Sequence, residues 1–284
     1  ILGDESGYEI GDVQKTKLAA IEAEWHTEEA PAAFTLIGLP NMDTHSTDYA
    51  IKIPYAMGII ATRSLDTEVT GIKDLIDQHE VRIRNGIIAS ERLAVLRAGD
   101  RTAENIALFD EVKQDLGYGL LLKRYTENIS DATEEQIKQA AADTIPHVPS
   151  IFWAFRMMVG AGFLMLLLFV LAFWASTKHN QEHKPWLLRF ALICLPLPWV
   201  GVQTGWYVAE VGRQPWSIGE VLPTFLSASS LTTADVWGSI IAITSIYTVL
   251  IIIEMFLMIR FARKGPSCLH TGRYYFEQDA NKNA

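Results

Sequence analysis

Four ionisable side chains lie at the ends of long apolar runs or inside them: Arg156, Glu210, Arg213 and Glu254. Unpaired charge in hydrocarbon is costly, so such residues point first to function, with interfacial snorkelling or a structural ion pair as the competing account. Arg213 follows Glu210 by three residues, the spacing of a helical ion pair. Gly212 and Pro215 should interrupt regular helix there and weaken that pair. Glu254 stands six residues from Arg260, roughly 9 Å along a helix, which favours snorkelling. Met157 and Met158 directly follow Arg156. Methionine in a membrane helix is usually packing, but its thioether can also be an axial haem ligand, where a Met/His pair raises the reduction potential. All seven histidines lie outside the apolar runs, so such a haem would need its histidine from elsewhere. Two cysteines, Cys194 and Cys268, make neither a disulfide framework nor a Cys-rich metal site.

The elements that carry these residues are three uncharged runs, 157–177, 190–209 and 236–253, of 21, 20 and 18 residues. About 20 apolar residues cross a bilayer core, so each predicts a transmembrane helix, about 151–177, 187–210 and 236–260. Trp153, Trp174, Trp186, Tyr207 and Trp237 fall near the run ends, as interfacial aromatics do. The short segment 178–189 carries Lys178, Lys184 and Arg189, and the tail carries Arg260, Arg263, Lys264 and Arg273. The loop 210–235 has Arg213 alone against Glu210, Glu220 and Asp235. Positive loops stay in the cytoplasm, which puts the C-terminus inside and residues 1–148 outside. Pro196 and Pro198, with Gly201 and Gly205, predict a kink in the second run. Such a bend is either ordinary membrane-helix proline or room for a flat ligand.

Of the 284 residues, 1–148 hold 14 Lys/Arg against 26 Asp/Glu, whereas 149–284 hold 10 against 7 and seven of the eight tryptophans. Two unlike halves follow. The acidic half cannot neutralise phosphates, which argues against nucleic acid. The chain opens Ile1-Leu2-Gly3, without Met or a signal sequence, and reads as the back part of something longer. Residues 12–25 predict a helix with Asp12 as N-cap and Leu18, Ile21 and Trp25 as its apolar stripe. Residues 27–47, with Pro31, Gly38, Pro40 and Asn41, read as irregular. Helical patterns return over 71–99, 102–116 and 133–143, the last beginning at a capping box on Thr133. Gly117-Tyr118-Gly119 reads as an interruption. No phosphate loop, nucleophile elbow or metal-ligand cluster is present in the pattern. The fold class is therefore an all-α integral membrane protein: three transmembrane helices over 149–264, preceded by a mostly helical extracytoplasmic domain over 1–148 and followed by a cytoplasmic tail over 265–284.

Three motifs carry a resemblance. Gly3-Asp4-Glu5-Ser6-Gly7-Tyr8-Glu9, followed by Gly11-Asp12-Val13-Gln14-Lys15-Thr16-Lys17-Leu18-Ala19-Ala20-Ile21-Glu22, resembles the quinol-binding Q loop of subunit I of the cytochrome bd quinol oxidases. Phe155-Arg156-Met157-Met158 resembles that family's Arg-x-Met haem motif, and Gly205-Trp206 through Glu210-Val211-Gly212-Arg213-Gln214-Pro215-Trp216 its Gly-Trp…Glu-x-Gly-Arg-Gln-Pro-Trp motif. Similarity continues through Gly265-Pro266-Ser267 and Thr271-Gly272-Arg273-Tyr274, and the stretch from about 71 to 145 resembles the long form of the Q loop.

The resemblance implies a terminal respiratory oxidase of the bacterial inner membrane. It would oxidise quinol, expected to be ubiquinol, at the periplasmic face. Electrons would pass through a low-spin haem b and a high-spin haem b to haem d, which reduces oxygen to water. Lys17 and Glu22 become quinol-site residues, with Asp4 and Glu5 nearby. Met158 becomes an axial ligand of the low-spin haem and Arg156 a cation beside it. Glu210 becomes the carboxylate ligand of a high-spin haem, Trp206 a ring between haems and Arg213 a propionate partner. Subunit II and small subunits are the implied partners. The family's histidine ligands lie in N-terminal helices outside this sequence, so the chain is expected to be a fragment. On a regular helix Lys17 and Glu22 point about 140° apart, whereas Lys17 and Glu24 share a face. The competing reading is a membrane-anchored sensor or assembly protein whose acidic domain binds a partner; such an anchor has no use for Arg156, Glu210 and a doubly kinked span.

Overall fold

The small residues of 15–22 suit a helix pressed between others, and in the computed structural model, which describes residues 9–11, 13–57, 68–177 and 184–264, they form one. Helix α1 (Lys15–Glu22) buries Lys17, Ala19, Ala20, Ile21 and Glu22. It stops at Ala23, which turns left-handed (φ 52°, ψ 43°), so that the Glu24 amide reaches back to the Ala19 carbonyl at 3.0 Å. The helix is thus shorter than its apolar pattern predicts. Glu24 lies beyond the left-handed residue, off the face of Lys17, and pairs with Lys52 at 3.3 Å. The expected N-cap Asp12 lies outside the described residues, as do Asp4, Glu5 and the tail 265–284.

Residues 27–47 are not irregular throughout. Strand β1 (Phe34–Asn41) pairs antiparallel with β2 (Ser46–Ile53), with register shifts on either side of Ile37. The Asn41 side chain accepts from the amide of Asp43 at 2.9 Å and closes the turn. Gly38 marks the close cross-strand approach, since a Cβ there would stand 2.6 Å from the Thr47 methyl. Proline and glycine, read as breakers, here sit inside a bulged hairpin.

Helix α2 (Ile72–Arg97) turns Ile72, Leu75, His79, Ile83, Gly86 and Ala89 inward at helical spacing. Helix α3 (Ala103–Val112) starts on Thr102, whose hydroxyl accepts from the Asn105 amide. A 3-10 turn leads into α4 (Leu116–Leu120). The Gly-Tyr-Gly stretch is therefore helical rather than a break. Its glycines serve proximity: a Cβ on Gly86 would lie 2.2 Å from the Gly119 nitrogen. Helix α5 (Glu134–Ala142) has the expected capping box between Thr133 and Gln136.

The apolar runs form α6 (Val148–Thr177), then α7 (Pro185–Cys194) and α8 (Leu197–Val211), then α9 (Thr233–Lys264). Among the described residues three segments are long and apolar enough to cross a membrane: Val148–Thr177, Pro185–Val211 and Thr233–Arg263. The class is that of an all-α integral membrane protein, with two small antiparallel ribbons among the described residues. The second segment carries the expected kink at Leu195–Pro196, where helical hydrogen bonding lapses for two residues that keep right-handed geometry, because proline supplies no amide to the turn before it. A short ribbon, β3 (Trp216–Ile218) with β4 (Leu222–Pro223), follows α8. Residues 229–284, which hold α9, form a separate unit.

Two cores tie the acidic half to the first membrane helix and to the ribbon. Ala19, Ala20, Ile21, Trp25, Ile72 and Leu75 pack on Val148, Ile151 and Phe152 of α6 and on Val208 of α8. Ile83, Tyr118, Leu121, Leu122, Ile137 and Trp216 form the second. Helix α1 is thereby held against the beginning of α6, just before the uncharged stretch.

Candidate functional site

Lys17 and Glu22 leave α1 in different directions, as their 140° separation predicts. The Lys17 stem lies along Gly212, where a Cβ would stand 3.0 Å from its Cγ. Burial pushes the Lys17 ammonium below its ordinary range, Arg213 adds to this, and Glu210 opposes it. Lys17 and Arg213 both border a cavity of about 590 Å³, which also reaches His79 and Tyr118. The site lies between α1, α2, α4 and the 212–220 segment, beyond the uncharged stretches.

Glu22 is sealed on the other side, 2% exposed. Its carboxylate accepts from the Thr35 amide at 3.1 Å and meets the Arg156 guanidinium at 3.3 Å. Burial outweighs both partners and raises the Glu22 carboxyl to about 7. Arg156 is saturated. It donates to the carbonyls of Ile21 (2.5 Å), Phe152 (3.1 Å), Leu36 (3.2 Å) and Thr35, and its guanidinium lies 3.3 Å from the centre of the Phe152 ring. One cation thus fastens α1, the hairpin and α6 together.

Glu210 and Arg213 form the (i, i+3) ion pair. Gly212 does not disrupt it, because this glycine keeps right-handed helical geometry (φ −68°, ψ −13°) and carries the turn one residue past α8. Regular helix does stop at Val211, as expected, but the ion pair forms nonetheless, which corrects the expected weakening. The Met158 sulfur faces α8, where a Cβ on Gly205 would stand 3.0 Å from it, whereas Met157 is half exposed. Trp206 is largely exposed on α8. The predicted residues thus fall into three places: Lys17 with Arg213 and Glu210, Glu22 with Arg156, and Met158 with Gly205.

The cavity also contains groups that sequence reasoning missed. His79 lies in the buried stripe of α2, its Nδ1 2.7 Å from the Thr144 hydroxyl. Burial, with Arg82 nearby, lowers it to about 4, against a smaller opposing pull from Glu220. Arg82 bonds Asp115 at 2.7 Å and Glu220 at 2.9 Å, and the Tyr118 hydroxyl bonds Glu220 at 3.1 Å. A histidine between Leu75 and Ile83 at helical spacing was the available sign.

The sequence model for the cytochrome bd terminal oxidase subunit I family matches residues 1–266. The chain belongs to that family. It is 41% identical over 270 residues to the cytochrome bd-II ubiquinol oxidase subunit 1 of Escherichia coli strain K12, covering 95% of this chain and 52% of that protein. It is 26% identical over 253 residues to the cytochrome bd ubiquinol oxidase subunit 1 of Bacillus subtilis strain 168, covering 89% of this chain and 42% of the relative. The chain therefore spans about half the length of these bd subunits. Among the described residues no group of three or more His, Cys, Asp or Glu side chains is placed to hold a metal ion. Single donors such as the Met158 thioether and the Glu210 carboxylate would still serve a haem, the kind of group this family contains.

Proposed function

We propose that this chain forms the quinol-oxidising side, and part of the haem-holding frame, of a terminal oxidase that passes electrons from quinol to oxygen. The relatives are named as ubiquinol oxidases, which supports quinol, and ubiquinol first, as the donor. The observation that carries the reading is Lys17, a buried ammonium opening on a cavity of about 590 Å³ outside the apolar stretches. A cavity of that size suits a small aromatic head group. The ammonium donates a hydrogen bond to its oxygen, and burial with Arg213 nearby makes it a readier proton donor than a free lysine. Glu22 acts from behind α1: with its pKa near 7 it can hold or release a proton, while Arg156 keeps it in place. Asp4 and Glu5, quinol-site residues by resemblance, lie outside the described residues.

The residues present fit haem as single donors. Met158 offers a thioether at a notch that a side chain on Gly205 would fill. Glu210 offers a carboxylate, with Arg213 beside it as a propionate partner. In this reading Met158 would hold the low-spin haem b and Glu210 a high-spin haem, with Trp206 as an aromatic neighbour. Arg156 stands two residues before Met158 as the neighbouring cation. When bound, the haems b and haem d accept single electrons and activate oxygen. Residues 1–148 face the periplasm and the tail the cytoplasm of a bacterial inner membrane, with subunit II, small subunits and lipid as partners.

The test is Lys17→Ala in the assembled oxidase. Turnover with limiting quinol should fall at least about tenfold, as loss of a charge-assisted hydrogen bond implies, with haem spectra unchanged. Normal turnover at low quinol would remove Lys17 from the site.

A further inference from the structure

We propose that His79 is a further substrate-contacting residue: its Nε2 accepts a hydrogen bond from a hydroxyl of the quinol head group in the cavity that Lys17 borders. The inference rests on the proposed quinol oxidation and adds a second anchor to it.

His79 and Lys17 line one cavity from different elements, α2 and α1. The proton arrangement of the histidine follows from its neighbours. The Thr144 hydroxyl donates its single proton to the Ala141 carbonyl at 2.6 Å. Its oxygen must then accept from Nδ1–H of His79, 2.7 Å away. The neutral ring is thereby held in the tautomer whose Nε2 carries a lone pair. Nε2 has no hydrogen-bond partner among the described residues, yet it is not among the sealed, unsatisfied polar atoms, so it opens on the cavity.

Of the charged and aromatic groups nearby, several are tied to one another. Arg82 and the Tyr118 hydroxyl both bond Glu220, and Arg82 also bonds Asp115. The charged groups facing the ring are Arg82 on its own helix and Glu220 on the ribbon; burial and Arg82 outweigh the opposing pull of Glu220 and leave the imidazole uncharged at neutral pH. A quinol carries two hydroxyls across one ring and needs acceptors as well as donors. Lys17 as an ammonium only donates, and Glu22 lies behind α1. His79 supplies such an acceptor, buried and held in one tautomer by Thr144, whereas Gln14, Gln78 and Ser217 on the same cavity have no side-chain partner among the described residues that orients them.

The experiment uses the whole oxidase with a short-chain quinol as substrate and its dimethyl ether as competitive inhibitor. His79→Leu should raise KM about tenfold, the loss of one hydrogen bond, with wild-type haem spectra. The dimethyl ether has no hydroxyl to donate and should inhibit wild type and His79→Leu equally. His79→Gln, whose amide oxygen can accept near the Nε2 position, should recover most of the affinity. Thr144→Val keeps the imidazole but removes the acceptor that sets its tautomer, and should raise KM about threefold. Unchanged KM in His79→Leu overturns the assignment, as does equal weakening of quinol and ether, which would mean a reshaped cavity. If His79→Leu does not assemble, unchanged KM in assembled Thr144→Val overturns it. Wild-type enzyme that does not oxidise quinol would instead sink the proposed function. Loss of quinol affinity in Lys17→Ala but not in His79→Leu would sink this inference alone.

Discussion

Glu22 shows burial and pairing pulling in opposite directions on one carboxyl. The Arg156 guanidinium and the Thr35 amide favour the anion, but removal from water wins, and the carboxyl moves from 4.5 to about 7. A folded-state pKa above the unfolded one means that the native state binds the extra proton. The contribution is therefore complete below about pH 4.5 and is lost as pH rises through about 7, amounting to about 3 kcal/mol at most. Protection of the Thr35 amide, corrected for intrinsic exchange, should fall between pH 5 and pH 8 in wild type and stay flat in Glu22→Gln. An identical slope in both would show that another group sets it. Met158 offers a second contrast at this scale. Its sulfur faces Gly205 while Met157 is half exposed. Met158→Leu keeps size and apolarity, so α6 should form normally while the low-spin haem spectrum and potential change. Met157→Leu should change neither, and redox titration of the two purified variants decides.

Among the elements, α2 and α4 meet closely enough that only glycine fits between their backbones. A Cβ on Gly119 would lie 2.5 Å from the Gly86 carbonyl oxygen. Gly119→Ala must therefore part the helices, at about 1–3 kcal/mol, and hydrogen exchange across α2 and α4 should speed up accordingly. Gly219→Ala, with nothing within 4 Å, is the control and should leave exchange unchanged. A Gly119→Ala protein with native protection would mean that the contact yields without cost. Arg82 works on the same junction, joining α2 to Asp115 and to Glu220 of the ribbon. The wall of the cavity near His79 is thus braced by both backbone contact and charge.

Over the whole chain, charge and apolarity are segregated: 26 Asp/Glu in residues 1–148, and three candidate spans after them. With a cytoplasmic C-terminus, three crossings leave the acidic half outside, where a proposed quinol site would release its protons. A phosphatase reporter, active only in the periplasm, should be silent when fused after Ala284 and active when inserted in the 210–235 loop. The reverse pattern would invert the topology. Little of the span surfaces is covered by the chain itself, which leaves them for lipid and for other helices of the proposed oxidase.

The spans, the capping box at Thr133 and the motifs around Lys17, Met158 and Glu210 were legible because each depends on neighbours a few residues apart. Hydropathy, helical period and capping chemistry act at that range. Tertiary structure decided what depends on residues distant in sequence. Arg156 is held by carbonyls 120 to 135 positions away, and Tyr118 finds Glu220 across 102. The hairpin was missed because Gly38 and Pro40 read locally as breakers, whereas a bulge and a cross-strand approach accommodate both. His79 was missed because a lone histidine on an apolar stripe looks like packing until Thr144, 65 residues on, fixes its tautomer. The chemistry of each candidate residue was set by its type, but its pKa and partner were set by burial, which is a property of the folded chain.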